Sequence, residues 1–264
     1  LRAARDAGAL LALERAEAVL ERAHSQPVAA PLRQRVFELA EALYQSIRMQ
    51  LDVERYRAIS VGRGANLATI DVPLHDGAWL RAAFARVRAE SDEAKRLAEI
   101  DRVVGWTDPG PGGFYDDLGK AAADARVVPG RAYAEDPQYF DAPLVAFGCR
   151  REYRLSWCDY VDGLYGYEAK LAYTGLDPAA AYRVRIVYSG ALRDRGRPVQ
   201  VRLSADGLEV HPMMPKPDPL QPVEFDVPAE AVRDGALTLT CAGEPGRGGP
   251  GRGCQMAEVW LMRR

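Results

Sequence analysis

The sequence predicts an α+β chain, an antiparallel helical segment followed by an antiparallel β-sandwich. Three observations predict it. Apolar residues recur at helical spacing through most of the first hundred positions. From residue 144 onward they alternate with polar ones instead, and Asp-Gly pairs mark the turns. Between the two patterns lies TDPGPGG at 107–113, whose prolines and glycines admit neither helix nor strand. The expected organisation is therefore a helical region at 1–106, a structured linker loop at 107–143 and a sandwich at 144–264.

In the helical region, Leu10, Leu13, Val19, Leu20 and Ala23 place one helix within 1–25. Pro27 and Pro31 interrupt it. A second stripe, Leu32, Val36, Leu39, Leu43 and Ile47, predicts a helix over 32–50 that packs antiparallel on the first. Residues 53–76 read as an irregular loop. Asp76 is the expected cap of a third helix with Trp79, Leu80, Ala83, Phe84 and Val87 on one face. Ser91 is the expected cap of a fourth, with Ala94, Leu97, Ile100 and Val103 as its stripe.

The sandwich centres on residues 167–190. Tyr167, Ala169, Leu171 and Tyr173 alternate with polar partners, and so do Tyr182, Val184, Ile186 and Tyr188. Gly175, Asp177 and Pro178 break the run between them. The expectation is a hairpin with one buried face. The other expected strands are 144–149, 153–159, 198–204, 207–211, 222–227, 236–242 and 254–262, with a short one at 125–128. Leu171, Val184, Ile186, Val201, Phe225, Leu239 and Val259 form the expected core.

The chain has 264 residues, 48% of them hydrophobic and 27% charged, which is a globular composition. A formal net charge of -2 gives no electrostatic reason to expect nucleic acid or an anionic membrane as partner. No apolar run reaches the roughly 20 residues of a membrane helix. Arginine-glycine material at 243–254 reads as a hairpin loop, and GRG at 62–64 lacks the rest of a phosphate loop. No Ser-His-Asp order or GxSxG elbow is present. The opening at Leu1, directly in a helical pattern, reads as a piece of a longer protein with a further domain before it. Abundant Ala, Arg and Gly with scarce Lys suits a bacterial source of high GC content.

The four cysteines, Cys149, Cys158, Cys241 and Cys254, form no CxxC pair and argue against a structural zinc site. Cys241 is in phase with Leu237 and Leu239 and points inward. It reads either as a buried thiol or as one half of a bridge to Cys254 across the last two strands.

The order of features in the second half carries a resemblance. FDVPAEAVRDGALTLTC followed by a last strand, AEVWLMRR, resembles the end of jelly-roll, galactose-binding-like modules. Such modules are appended to secreted bacterial carbohydrate-active enzymes. The resemblance implies a non-catalytic accessory region that binds glycan or braces a catalytic domain, outside the cytoplasm. Two alternatives stand beside it. One is a glycoside hydrolase or lyase fragment that draws acidic residues from 107–143. The other is a structural interaction module without ligand.

Two clusters are candidate sites. Trp157, Tyr160 and Tyr165, with Asp159 among them, have the chemistry of a sugar site, in which rings stack on the pyranose and carboxylates take its hydroxyls. In a β-module such aromatics are more often core or domain-interface residues. Asp116 and Asp117 in a glycine-flanked loop offer oxygens to a hard cation, and the resemblance implies a structural calcium. The other reading is a capped turn with solvated carboxylates. No other cofactor is expected.

Overall fold

The computed structural model describes residues 8–25, 76–118, 126–131, 134–136, 143–147, 153–163, 168–245 and 253–264, with backbone only for 22–25, 143–147, Leu155 and Asp159. The helix expected at 32–50 and the loop at 53–76 lie outside these residues, apart from Asp76. The chain divides into two compact units, Leu1–Trp106 and Thr107–Arg264.

The first unit holds three described helices, α1 (Ala9–Ser25), α2 (Gly77–Ala89) and α3 (Glu93–Val104). They pack through Leu13, Phe84, Val87 and Ile100. Arg81–Glu21 and Arg86–Glu99 ion pairs cross the exposed seams, each at 3.0 Å. The caps differ from expectation. Asp76 makes no side-chain cap bond to α2. Asp92, rather than Ser91, caps α3, its Oδ1 accepting the Lys95 amide at 2.9 Å. A carboxylate one residue further on reaches the third amide of the first turn. Among the described residues no helix is long and apolar enough to cross a membrane.

The second unit is an antiparallel β-sandwich, so the chain is α+β as the sequence predicts. Its strands are β1 (Phe114–Asp117), β2 (Pro143–Phe147), β3 (Asp159–Gly163), β4 (Ala169–Thr174), β5 (Tyr182–Tyr188), β6 (Arg193–Asp194), β7 (Arg197–Pro198), β8 (Gln200–Ala205), β9 (Leu208–Pro215), β10 (Val223–Asp226), β11 (Ala236–Gly243) and β12 (Gln255–Arg263). One sheet runs β10-β5-β12-β3-β2, with β1 also on β12. The other runs β4-β11-β8-β9, and β6 and β7 make a small ribbon.

β4 and β5 are not a hairpin. β4 pairs with β11, and β5 pairs with β10 and β12. The connection crosses from one sheet to the other, pinned where the Leu176 amide meets the Gly235 carbonyl at 2.9 Å and the Asp177 amide meets the Tyr182 hydroxyl at 2.8 Å. Both strands alternate in phase because both face the same core from opposite sides. Period-two patterning reports which face is buried, not which strand is the neighbour.

That core contains Leu171, Val184, Ile186, Val201, Leu239 and Val259, each no more than 1% exposed. Phe225 is only partly buried, because β10 is an edge strand. Cys241 and Cys254, both fully buried, are bonded to each other. The bridge joins β11 to the lead-in of β12 and so ties one sheet to the other. Cys158 is disulfide-bonded as well. The expected strand at 153–159 is instead a 3-10 turn, Leu155–Trp157, leading into β3. The expected strand at 125–128 is a single bridge, Val127 to Leu171. β1 occupies four residues of the predicted linker loop.

Candidate functional site

β1 decides what its two carboxylates can do. It pairs with β12 so that Asp116 lies opposite Val259 and Asp117 opposite Glu258. Adjacent strand residues point to opposite faces. Asp116 enters the sandwich and is 1% exposed. One of its oxygens takes a guanidinium N–H of Arg126 and the other the Tyr173 hydroxyl, the latter at 2.7 Å. Arg126 lies in turn over the Phe114 ring, 4.9 Å from its centroid. Asp117 lies on the other face. The pair does not fit a calcium site. The two carboxylates diverge, and Asp116 already has a guanidinium and a hydroxyl where a cation would need its oxygens. Among the described residues no group of three His, Cys, Asp or Glu converges to hold a metal.

The face of β1 that carries Asp117 also carries Tyr115, and both border Glu258. This carboxylate is fully buried on β12. It accepts from the Tyr115 hydroxyl at 2.6 Å, the Ser156 hydroxyl at 2.7 Å and the Trp157 indole N–H at 2.7 Å. Arg154 stands at 3.6 Å. A buried carboxylate persists when donors replace its water. Burial and the neighbouring Glu258 push the Tyr115 hydroxyl far above the usual phenol range, so it stays a donor.

Trp157 therefore differs from its sequence reading as a sugar-stacking ring. It is 1% exposed, edge-on to Tyr153 at 6.0 Å, and anchors the 3-10 turn to β12. Tyr160 is 6% exposed. Neither ring offers a face to solvent, because the turn folds back over the outer surface of the six-stranded sheet. The Asp159 side chain and Tyr165 lie outside the described residues. Glu258 was the missed residue of this cluster. A lone carboxylate inside the apolar run MAEVWLM is the signal that could have found it.

A second polar cluster sits at one end of the sandwich. Lys216 is 5% exposed and donates to Gln255 Oε1, which also accepts the Ala191 amide at 3.1 Å. The Gln255 amide nitrogen donates to Asp162 at 2.9 Å. Gly190, at φ +66°, passes so close that a Cβ there would collide with the Gln255 side chain. Burial depresses the Lys216 ammonium to about 7, against the attraction of Asp162.

Among the described residues, an open groove lies on the outer face of the four-stranded sheet. Its volume is about 360 Å³, and it is lined by Glu168, Arg202, Ser204, Glu209, His211 and Thr240, with Leu203 and Gly207. Val201, Leu203 and Ala205 of β8 point into the core, so Arg202 and Ser204 point out. Thr240 lies opposite Ser204 on β11. Arg202 donates to Glu168 at 3.4 Å. The β8–β9 turn is Asp206-Gly207, with both residues at positive φ, as a two-residue hairpin requires. Register shifts along β8–β9 then bend the edge strand beside the groove. His211 faces inward and is spoken for: its ring nitrogens lie 2.7 Å from the Tyr188 hydroxyl and 2.8 Å from the Pro212 carbonyl.

No family model matches the chain, and no curated protein does. Solved structures similar to it include a Bacillus subtilis protein, at 14% identity and TM-score 0.35, over 58% of this chain and 40% of that one. Another is an exo-β-1,3-galactanase from Phanerochaete chrysosporium, at 10% identity and TM-score 0.32, over 57% of this chain and 29% of that one. A family 35 carbohydrate-binding module from Clostridium thermocellum is similar at 15% identity and TM-score 0.30, over 53% of this chain and 99% of that one. The chain thus covers well under two thirds of the first two.

Proposed function

We propose that the sandwich is a glycan-binding accessory domain of an extracytoplasmic bacterial carbohydrate-active protein. The observation that carries this reading is the open polar groove on a sheet whose other face is wholly committed to the core. A domain whose apolar residues are packed into a core and whose outer face carries a hydrogen-bonding cleft has the layout of a module that presents a binding surface. Bonded Cys241, Cys254 and Cys158 support an oxidising compartment. Asp116, the most buried carboxylate among the described residues of the 107–143 segment, is engaged by Arg126 and Tyr173, which favours a structural role for it over acid–base work.

The test is a glycan microarray probed with the full chain, its folding verified by circular dichroism. Retention on one polysaccharide class is the expected result. A folded chain that is retained on none would remove the reading in favour of an interaction module without sugar ligand.

A further inference from the structure

We propose that the ligand site is the outer-face groove of the four-stranded sheet, and that it takes a neutral, hydroxyl-rich glycan chain. The proposal deepens the glycan-binding reading and rests on it. The lining supplies both halves of a hydroxyl-recognition set. Arg202 presents guanidinium donors, Glu168 and Glu209 present acceptors, and the hydroxyls of Ser204 and Thr240 do either. A sugar hydroxyl donates and accepts at once, so such a mixed surface satisfies it where a single-sign surface would not.

Charge selects among polar ligands. The lining has one guanidinium against two carboxylates. The guanidinium is already paired, and Lys170 also approaches Glu168, at 3.7 Å. A polyanion would have to break the Arg202–Glu168 pair and face Glu209 without a further cation from the lining. A basic peptide would meet Arg202. A neutral polyol disturbs neither charge and adds hydrogen bonds to both.

Size and access agree. The volume of about 360 Å³ falls in the range of small-ligand sites, roughly 300–1,000 Å³. The side chains of Arg202 and Glu168 are 54% and 38% exposed, so the pair is reachable without unfolding anything. Nothing lies within 4 Å of where a Gly207 Cβ would stand, which leaves the hairpin end of the groove open for a chain to run through. His211 borders the groove, but its ring faces inward to Tyr188 and is not part of the recognition set.

The experiment is affinity electrophoresis of the full chain in gels containing galactomannan, xyloglucan or mixed-linkage β-glucan, with polygalacturonate as the anionic probe. Two variants accompany the wild type: Arg202→Ala removes the donor, and Ser204→Tyr fills the floor. Both side chains point outward, so unchanged thermal midpoints verify the fold. We expect retardation by at least one neutral polysaccharide, equal at low and high salt. Affinity should fall at least about tenfold in Arg202→Ala, as loss of a hydrogen bond to a charged group implies, and at least as far in Ser204→Tyr, whose ring occupies the ligand's space. Undiminished retardation of both variants would overturn the groove as the site while leaving glycan binding intact. Retardation by polygalacturonate alone, abolished by salt, would overturn the neutral ligand class. A wild type retarded by none of the four would overturn the site and the glycan reading together.

Discussion

The indole N–H of Trp157 donates to Glu258 Oε2 at 2.7 Å, joining two fully buried residues that stand 101 positions apart in the chain. The contact fastens the 3-10 turn before β3 to the middle of β12. Trp157→Ala should cost about 3–5 kcal/mol, since it removes a large buried ring and one of the donors to a buried carboxylate. Trp157→Phe keeps most of the volume and loses only the donor, so about 1–3 kcal/mol is expected. Urea titrations of both variants measure this. A midpoint unmoved by Trp157→Ala would place the ring outside the core.

The Cys241–Cys254 bridge closes a short loop, with a sequence separation of 13. Chain-entropy reasoning assigns such a loop about 3 kcal/mol of stability. The double substitution of both cysteines by alanine should lower the urea midpoint accordingly and leave the m-value nearly unchanged. Reductant should lower the wild-type midpoint by more than the variant's, because the variant retains only the bridge at Cys158. Equal midpoints for oxidised wild type and double variant would remove the bridge from the stabilising contacts.

Lys216 makes stability depend on alkaline pH. Its folded pKa is about 7, against 10.5 for a free lysine, and burial is the main cause. Below pH 7 both states carry the proton and the folded state bears the full cost of a buried charge. Between about 7 and 10.5 the unfolded chain binds the proton and the folded chain does not, so this group's destabilising effect fades as pH rises. Lys216→Met removes the titration but also the bond to Gln255. The gap in melting temperature between variant and wild type should therefore shift toward the wild type as pH goes from 6 to 10. A gap constant across that range would show that Lys216 stays charged, with Asp162 compensating.

Ile186 is fully buried, while Phe225, on the edge strand β10 of the same sheet, is not. Ile186→Ala should cost about 2–5 kcal/mol. Phe225→Ala should cost less than its larger volume would suggest, because part of the ring is already in water and solvent can enter the space it leaves. Denaturant titration of the two variants gives the order. A larger loss at Phe225 would mean that β10 is better covered than its position indicates.

Local pattern carried the strand ends well. β5 spans residues 182–188, as the alternation predicts, and Asp206-Gly207 forms the turn that its residue types predict. Pairing was not legible, because the partners of β4 and β5 are chosen by a core that forms between distant segments. β1 escaped because four residues with two carboxylates read as a polar loop, and only its register on β12 turns Asp116 inward. The aromatic cluster at 157–165 misled for a related reason. Composition states that a ring is present, whereas its direction depends on Glu258, far away in sequence. The groove was half legible. Arg202, Ser204 and Thr240 sit at the outward positions of their strands, but their convergence depends on a β8–β11 register that no local signal encodes.

β12 pairs with β5 along one side and with β3 and then β1 along the other. It is the last strand in the sequence and an inner strand of its sheet. On the ribosome, β1 and β3 emerge long before the strand that will hold β1 in place. During synthesis their open edges must be kept from other partners until residues 255–263 arrive. The sheet is therefore complete only when its last-made inner strand is available, so its closure depends on residues furthest from β1 in the order of synthesis.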